Sequence, residues 1–129
     1  MFKLSQRSLE NLSSCEESLI ILAKRALELS PYDFGITCGI RTIEEQKNLV
    51  ESGASQTMKS RHLPNANGKA EALDFAVYVG GKLVWDRKYY RKVIQAFFTA
   101  AIELGIQIEA GGLWENFVDG PHIQLKVKS

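Results

Sequence analysis

Eight consecutive residues, Ala72-Leu73-Asp74-Phe75-Ala76-Val77-Tyr78-Val79, constrain this chain most, because seven are the aliphatic or aromatic types of a buried strand and the eighth is a carboxylate. Gly80-Gly81 follows at once and reads as a two-residue hairpin connection into Lys82-Leu83-Val84-Trp85, so the strand pairs antiparallel with its successor. Asp74 is the anomaly. A carboxylate on a buried strand needs a metal, an arginine or several hydrogen-bond donors. An ion pair with Arg41 or Arg61 is the simplest such partner.

The other elements are expected around this strand. Ser14 and Glu17 have capping-box spacing, and Leu19, Leu22, Ala23, Ala26 and Leu27 recur at helical period, so a helix is expected from about Cys15 to Leu29, stopped by Pro31. Tyr32 to Cys38 alternates with Phe34, Ile36 and Cys38 on one face and reads as a strand leading to Gly39-Ile40-Arg41. Thr42 and Glu45 form a second capping box for a short helix that Gly53 should end, placing Arg41 at a helix entrance. From Ser52 to Ala70 the chain is polar and glycine-bearing, a long loop that contains His62 and has its strongest turn signal at Pro64 to Gly68. Asp86 is a candidate N-cap for a helix whose buried stripe is Tyr90, Val93, Ile94, Phe97, Ala101 and Leu104, ended by Gly105. Strands are expected at Ile106 to Ala110 and at His122 to Val127, separated by a Gly111-Gly112 turn, with Ile123 and Leu125 facing oppositely to His122 and Gln124. Strands and helices are interspersed without regular alternation. The expected class is α+β, a mainly antiparallel sheet flanked by helices in one domain spanning 1–129.

Charge and cysteine content narrow the function classes. Sixteen basic and fifteen acidic residues give a formal charge of +1, which predicts no nucleic-acid partner and no stable membrane association. Cys15 and Cys38, in an expected helix and an expected strand, read as small buried hydrophobes rather than a redox pair. The N-terminus lacks the apolar run of a cleaved signal, so synthesis is expected to be cytoplasmic, and no stretch reaches membrane-spanning length.

The chain has only two histidines, His62 and His122. With Asp74 they make two imidazoles and one carboxylate, a ligand set that leaves a zinc ion one open position for water. Asp119, three residues before His122, would then be free to act on that water. Each residue also has a plainer reading. His62 reads alone as an exposed loop histidine and His122 as a strand residue after a proline. Asp119-Gly120-Pro121 is an ordinary turn sequence. Gln46 reads as a solvated helix residue and Trp114 as a packing residue. Arg41 opposes the helix dipole at its entrance, which suggests an anion nearby.

Taken together, Gly39-Ile40-Arg41-Thr42 with Gln46, Ser60-Arg61-His62 with Ala72-Leu73-Asp74, and Trp114 with Asp119-Gly120-Pro121-His122-Ile123-Gln124 resemble the zinc DD-peptidase family. That family comprises D-alanyl-D-alanine carboxypeptidases and dipeptidases together with phage L-alanyl-D-glutamate endopeptidases used as endolysins, on a hedgehog-like fold. The resemblance runs from about Ser8 to Leu125 in matching order. It implies one zinc per chain on His62, Asp74 and His122, Asp119 as general base, Arg41 facing a substrate carbonyl or carboxylate, and Ser60, Gln46 and Trp114 along the peptide. Two departures stand out. Twelve positions separate His62 from Asp74, more than is usual, which an insertion around Pro64 to Gly68 explains at small entropic cost, and Leu113 replaces a frequent aspartate.

The implied function is a phage or prophage endolysin, a monomer that hydrolyses peptidoglycan stem peptides between L-alanine and D-glutamate and reaches the wall after the membrane is permeabilised. The alternatives are a D-alanyl-D-alanine carboxypeptidase or dipeptidase, and a non-catalytic zinc-stabilised binding module on the same fold.

Overall fold

A computed structural model describes residues 2–53, 60–110 and 122–126. Its elements run α1 (Gln6–Ser13), α2 (Glu17–Leu29), β1 (Asp33–Cys38), α3 (Ile43–Glu51), β2 (Ala72–Val79), β3 (Lys82–Val84), α4 (Arg87–Leu104), β4 (Ile108–Ala110) and β5 (His122–Leu125). The sheet has the order β1-β2-β5-β4, with β3 paired to the far end of β2, and every pairing between strands is antiparallel. The α+β expectation holds.

Strand β2 organises both faces of this sheet. Leu73, Phe75 and Val77 alternate onto one face and join Phe34 and Ile36 of β1, Ile123 of β5, and the buried stripes of α2 and α4. Phe34, Phe75 and Phe97 stack there with ring centroids 5.1–5.9 Å apart, where edge-to-face and tilted contacts add to the area buried. All five apolar positions expected for α2 are buried. In α4, Ala100 and Ala101 close the buried face, and Leu104 is exposed because the last turn runs past the core. Asp74 alternates with this apolar set and turns to the other face.

Local signals placed most ends correctly. Thr42 and Glu45 form both halves of their capping box, Asp86 Oδ1 accepts from the Lys88 amide, and Gly105 ends α4 at φ +71°. Gly80 and Gly81 both have positive φ, as a tight hairpin with the strands' own twist requires. The loop from Ser60 to Lys69 is tied down by Asn65, whose side chain accepts from the Asn67 and Lys69 amides and donates to Glu16 and Glu71. The Gly111-Gly112 turn lies outside the described residues.

One expectation fails for a long-range reason. The Ser14 and Glu17 capping box does not form. Ser14 instead caps the C-terminus of α1, donating to the Asn11 carbonyl and accepting from the Ile40 amide, and α2 starts at Glu17 behind Glu16 without a side-chain cap. Helix α1 itself was not anticipated, although Ser5 caps it through the Ser8 amide. Its work is to cover the open edge of β1: Ser8 Oγ accepts from Ile36 N at 3.0 Å and Asn11 Nδ2 donates to Ile36 O at 2.8 Å. An edge strand is thereby closed to further pairing.

Gly39 makes that approach possible. A Cβ there would lie inside the van der Waals envelope of the Asn11 carbonyl oxygen and of Ser14 Oγ. The Gly39→Ala variant should therefore lose about 1–3 kcal/mol through overpacking against backbone, read as a lowered urea midpoint, while Gly53→Ala, with open space around it but φ +81°, should pay only its local backbone strain.

Candidate metal centre

The residues of the site come from strands β1, β2 and β5, from helix α3 and from the turns that carry Arg41 and His62. Register sets Asp74 of β2 opposite both Cys38 of β1 and His122 of β5, so a row of three side chains crosses the sheet. Cys38 belongs to this row only because a bulge between Ile36 and Cys38 shifts the register. Simple alternation would have put Cys38 with Phe34 and Ile36 in the core. The bulge turns its half-buried side chain to the site instead, so its reading as a buried hydrophobe is corrected. Cys15 does behave that way, with burial pushing its thiol up to about 12.

His62 reaches the row from the loop and is not an exposed histidine, since only 2% of it is accessible. The turn at Gly39 holds it twice: His62 O accepts from Arg41 N at 2.7 Å, and His62 Nδ1 lies 2.7 Å from Gly39 O. A carbonyl can only accept, so Nδ1 carries a proton and Nε2 points inward. On the opposite side, Gln124 Nε2 donates to Glu109 Oε2 at 3.0 Å, which turns Gln124 Oε1 toward His122 Nε2 at 2.8 Å. His122 Nε2 is therefore a donor and His122 Nδ1 points inward.

Three inward atoms then form a nearly equilateral triangle. His62 Nε2 is 3.1 Å from Asp74 Oδ1 and 3.2 Å from His122 Nδ1, which is 3.0 Å from Asp74 Oδ1. Donors about 2.0–2.1 Å from a tetrahedral zinc are about 3.3 Å from each other, so this spacing fits one such ion. Neutral imidazoles in these tautomers would aim two lone pairs and a carboxylate at one point, which demands a cation. The ionisation equilibria express the same demand. Burial pulls the His62 imidazolium down, but its hydrogen bond to Asp74, aided by Cys38, outweighs burial and holds it up at about 9. Burial pushes Asp74 up, but hydrogen bonds from His122 and His62 outweigh it and lower the carboxyl to about 2. A proton on His62 meets the demand for one pair; a divalent ion meets it for all three.

Cys38, His62 and Asp74 form an overlapping group that could also hold a metal, their donor atoms lying within 4.8 Å of one another. Cys38 Sγ, however, approaches His62 from the Nδ1 side at 3.9 Å, where Gly39 already takes the proton. The triangle with His122 is the tighter set.

Arg41 stands over Asp74 as the ion-pair reading expected, with Nη2 3.7 Å from Oδ2, while Arg61 pairs with Glu71 at 2.6 Å. Arg41 Nη1 donates to Gln46 Oε1 at 2.8 Å. Gln46 is fully buried, which corrects its reading as a solvated helix residue: it positions Arg41. Ser60 Oγ accepts from the His62 amide and so shapes the loop that carries His62. Trp114 and Asp119 lie outside the described residues.

With this geometry in place, comparison with known proteins is decisive. The family profile of the phage L-alanyl-D-glutamate peptidases matches residues 1–126. The chain belongs to that family. An L-alanyl-D-glutamate peptidase of Escherichia phage T5 is 35% identical over 96% of this chain and 98% of its own length. One from Listeria phage A118 is 37% identical over 95% of this chain, which spans 42% of that relative. The crystal structure of the Serratia marcescens L-Ala D-Glu endopeptidase ChiX superposes with a TM-score of 0.85 at 34% identity, covering 98% of this chain and 90% of that one.

The pair Gln124 and Glu109 escaped the sequence reading as functional residues. Gln124 was visible two residues after His122, the spacing that puts both on one face of a strand. Glu109 was not, because only the β4–β5 register brings it opposite Gln124. Outer partners of this kind fix ligand tautomers, so Gln124→Leu should weaken zinc binding by about 10–100-fold in competition with a chromophoric chelator, with secondary structure by circular dichroism unchanged.

Proposed function

We propose that this family member is a zinc-dependent endopeptidase acting on peptidoglycan stem peptides, and that the bond it hydrolyses is the L-alanyl-D-glutamate bond that the names of its phage relatives and of ChiX give for those proteins. The observation that carries the metal is the triangle of His62 Nε2, Asp74 Oδ1 and His122 Nδ1 with both outer imidazole protons already committed. His62, Asp74 and His122 would hold one zinc ion. Bound there, the ion supplies Lewis acidity, acidifying a water and polarising the scissile carbonyl.

The remaining work falls to the protein's own side chains. Asp119 takes the proton of the attacking water and returns it to the leaving amine, the reciprocal role of a general base and acid. Its place three residues before His122 in the sequence supports that assignment. Arg41, anchored by Gln46 and largely buried beside Asp74, stabilises negative charge developing on the carbonyl oxygen or already present on the D-glutamate. Ser60 and Trp114 border the peptide. No helix among the described residues is long and apolar enough to cross a membrane, and the site of action that fits this activity is the cell wall. We take the working unit to be the monomer.

A defined muropeptide tests the bond. Release of a peptide beginning with D-glutamate is expected by mass spectrometry, whereas release of free D-alanine alone would make the protein a carboxypeptidase. The ligands and the base separate in two variants. His122→Ala should lose stoichiometric zinc by elemental analysis, while Asp119→Ala should keep zinc and lose turnover by about 10²–10⁴-fold.

A further inference from the structure

The overall charge conceals a concentration of cations. Residues 82–92 contain Lys82, Arg87, Lys88, Arg91 and Lys92 against the single acid Asp86. That segment carries +4 of a chain whose total is +1, so the rest sums to −3. Lys82, Lys88, Arg91 and Lys92 are all exposed and make no ion pair among the described residues, in contrast to Arg25, Arg41 and Arg61, each of which has a carboxylate partner.

The placement is locally unfavourable. Lys88 and Lys92 are like charges four residues apart on one helix face, and Lys88 sits in the first turn of α4, where the helix dipole disfavours a cation. Exposed apolar groups lie alongside. Trp85 is 67% exposed with its ring stacked on Tyr90 at 6.1 Å and 10°, and Leu83 is 46% exposed on β3. Tyr90 is itself fixed, donating to Val84 O and accepting from Val77 N, so it gives Trp85 a rigid base. Lys88 Nζ lies 5.0 Å over the Tyr89 ring. The surface is thus an exposed aromatic ring in a segment rich in cations: Lys82 lies opposite Val79 at the end of β2 remote from Asp74, Trp85 follows Val84 opposite Val77, and α4 packs on the face of the sheet away from Asp74. Five residues of strand separate Asp74 from Val79, about 17 Å.

We infer that Trp85, with Lys82, Lys88, Arg91 and Lys92, is a second docking surface for the peptidoglycan polymer, away from the bond being cut. It rests on the reading of peptidoglycan as the substrate. Charge complementarity selects the partner: stem peptides present carboxylates to the cations, and the C–H faces of the adjoining sugar rings suit an exposed, rigidly backed indole. A surface of this kind holds the enzyme on an insoluble mesh between cuts and adds nothing to hydrolysis of a small soluble peptide.

The test uses the full chain with Trp85→Ala, Lys88→Gln, Arg91→Gln and Lys92→Gln combined, its fold checked by circular dichroism. Co-sedimentation with purified sacculi should weaken by at least about tenfold, and the salt sensitivity of binding should fall. Cleavage of a soluble muropeptide should keep its kcat and KM. Unchanged sedimentation overturns the proposal. So does wild-type protein that binds vesicles of phosphatidylglycerol and phosphatidylethanolamine but not sacculi, which would make the surface a lipid contact. Sedimentation of the zinc-site variant His122→Ala needs no activity. Retained, patch-dependent binding by that variant, together with a soluble muropeptide left uncut by the wild type, would sink the catalytic reading while leaving this surface standing.

Discussion

A carboxylate turned away from the core on a central strand is the constraint on which this molecule depends. Asp74 is largely enclosed, and burial alone would neutralise it. It stays ionised through positive charge on both oxygens, a proton or cation shared with His62 and His122 at Oδ1 and the Arg41 guanidinium at Oδ2. Each of those partners is held by a hydrogen bond to something else: His62 by Gly39, His122 by Gln124 and Arg41 by Gln46. The same groups that keep the carboxylate charged therefore also fix the tautomers and orientations that present a metal-shaped set of donors. Stability of the sheet and readiness of the site are one problem with one solution.

The route from backbone to site passes through the turn at Gly39. Helix α1 closes the edge of β1 through Ser8 and Asn11, and close packing of that helix leaves no room for a side chain at Gly39. The carbonyl of that glycine then receives the His62 ring, and the amide of Arg41 receives the His62 carbonyl. Residues near the start of the chain thus hold His62, more than fifty positions away, although none of them touches it. The bulge in β1 adds Cys38 to the same wall, 3.7 Å from Arg41 Nη2.

Electrostatics operates on two scales here. At the site, ionisable groups are brought together at about 3 Å, where low dielectric makes each interaction strong. Along β3 and the start of α4, like charges are spread over solvent-exposed surface, where screening makes their mutual repulsion tolerable and their attraction to a polyanion long in reach. A net charge near zero, which argues against polyanion binding for the chain as a whole, says nothing about such a segregated surface.

Signals confined to a few neighbouring residues were legible in the sequence. Thr42 with Glu45, Asp86, the Gly80-Gly81 hairpin and Gly105 each set an end through contacts within one turn, so their meaning did not depend on the rest of the fold. The periodicity of α2 and β2 likewise specified its own buried face, and the scarcity of histidine made His62 and His122 conspicuous beside Asp74. Tertiary structure decided what depends on partners far along the chain. Ser14 met capping-box spacing yet went to Ile40 across space, Gln46 looked solvated yet is buried under Arg41, and Cys38 changed faces because β1 slips one residue against β2. Glu109 became part of the site only through the register of β4 with β5. Local spacing determines which hydrogen bonds and faces are available; competition among distant donors, acceptors and packed surfaces determines which of them the folded chain uses.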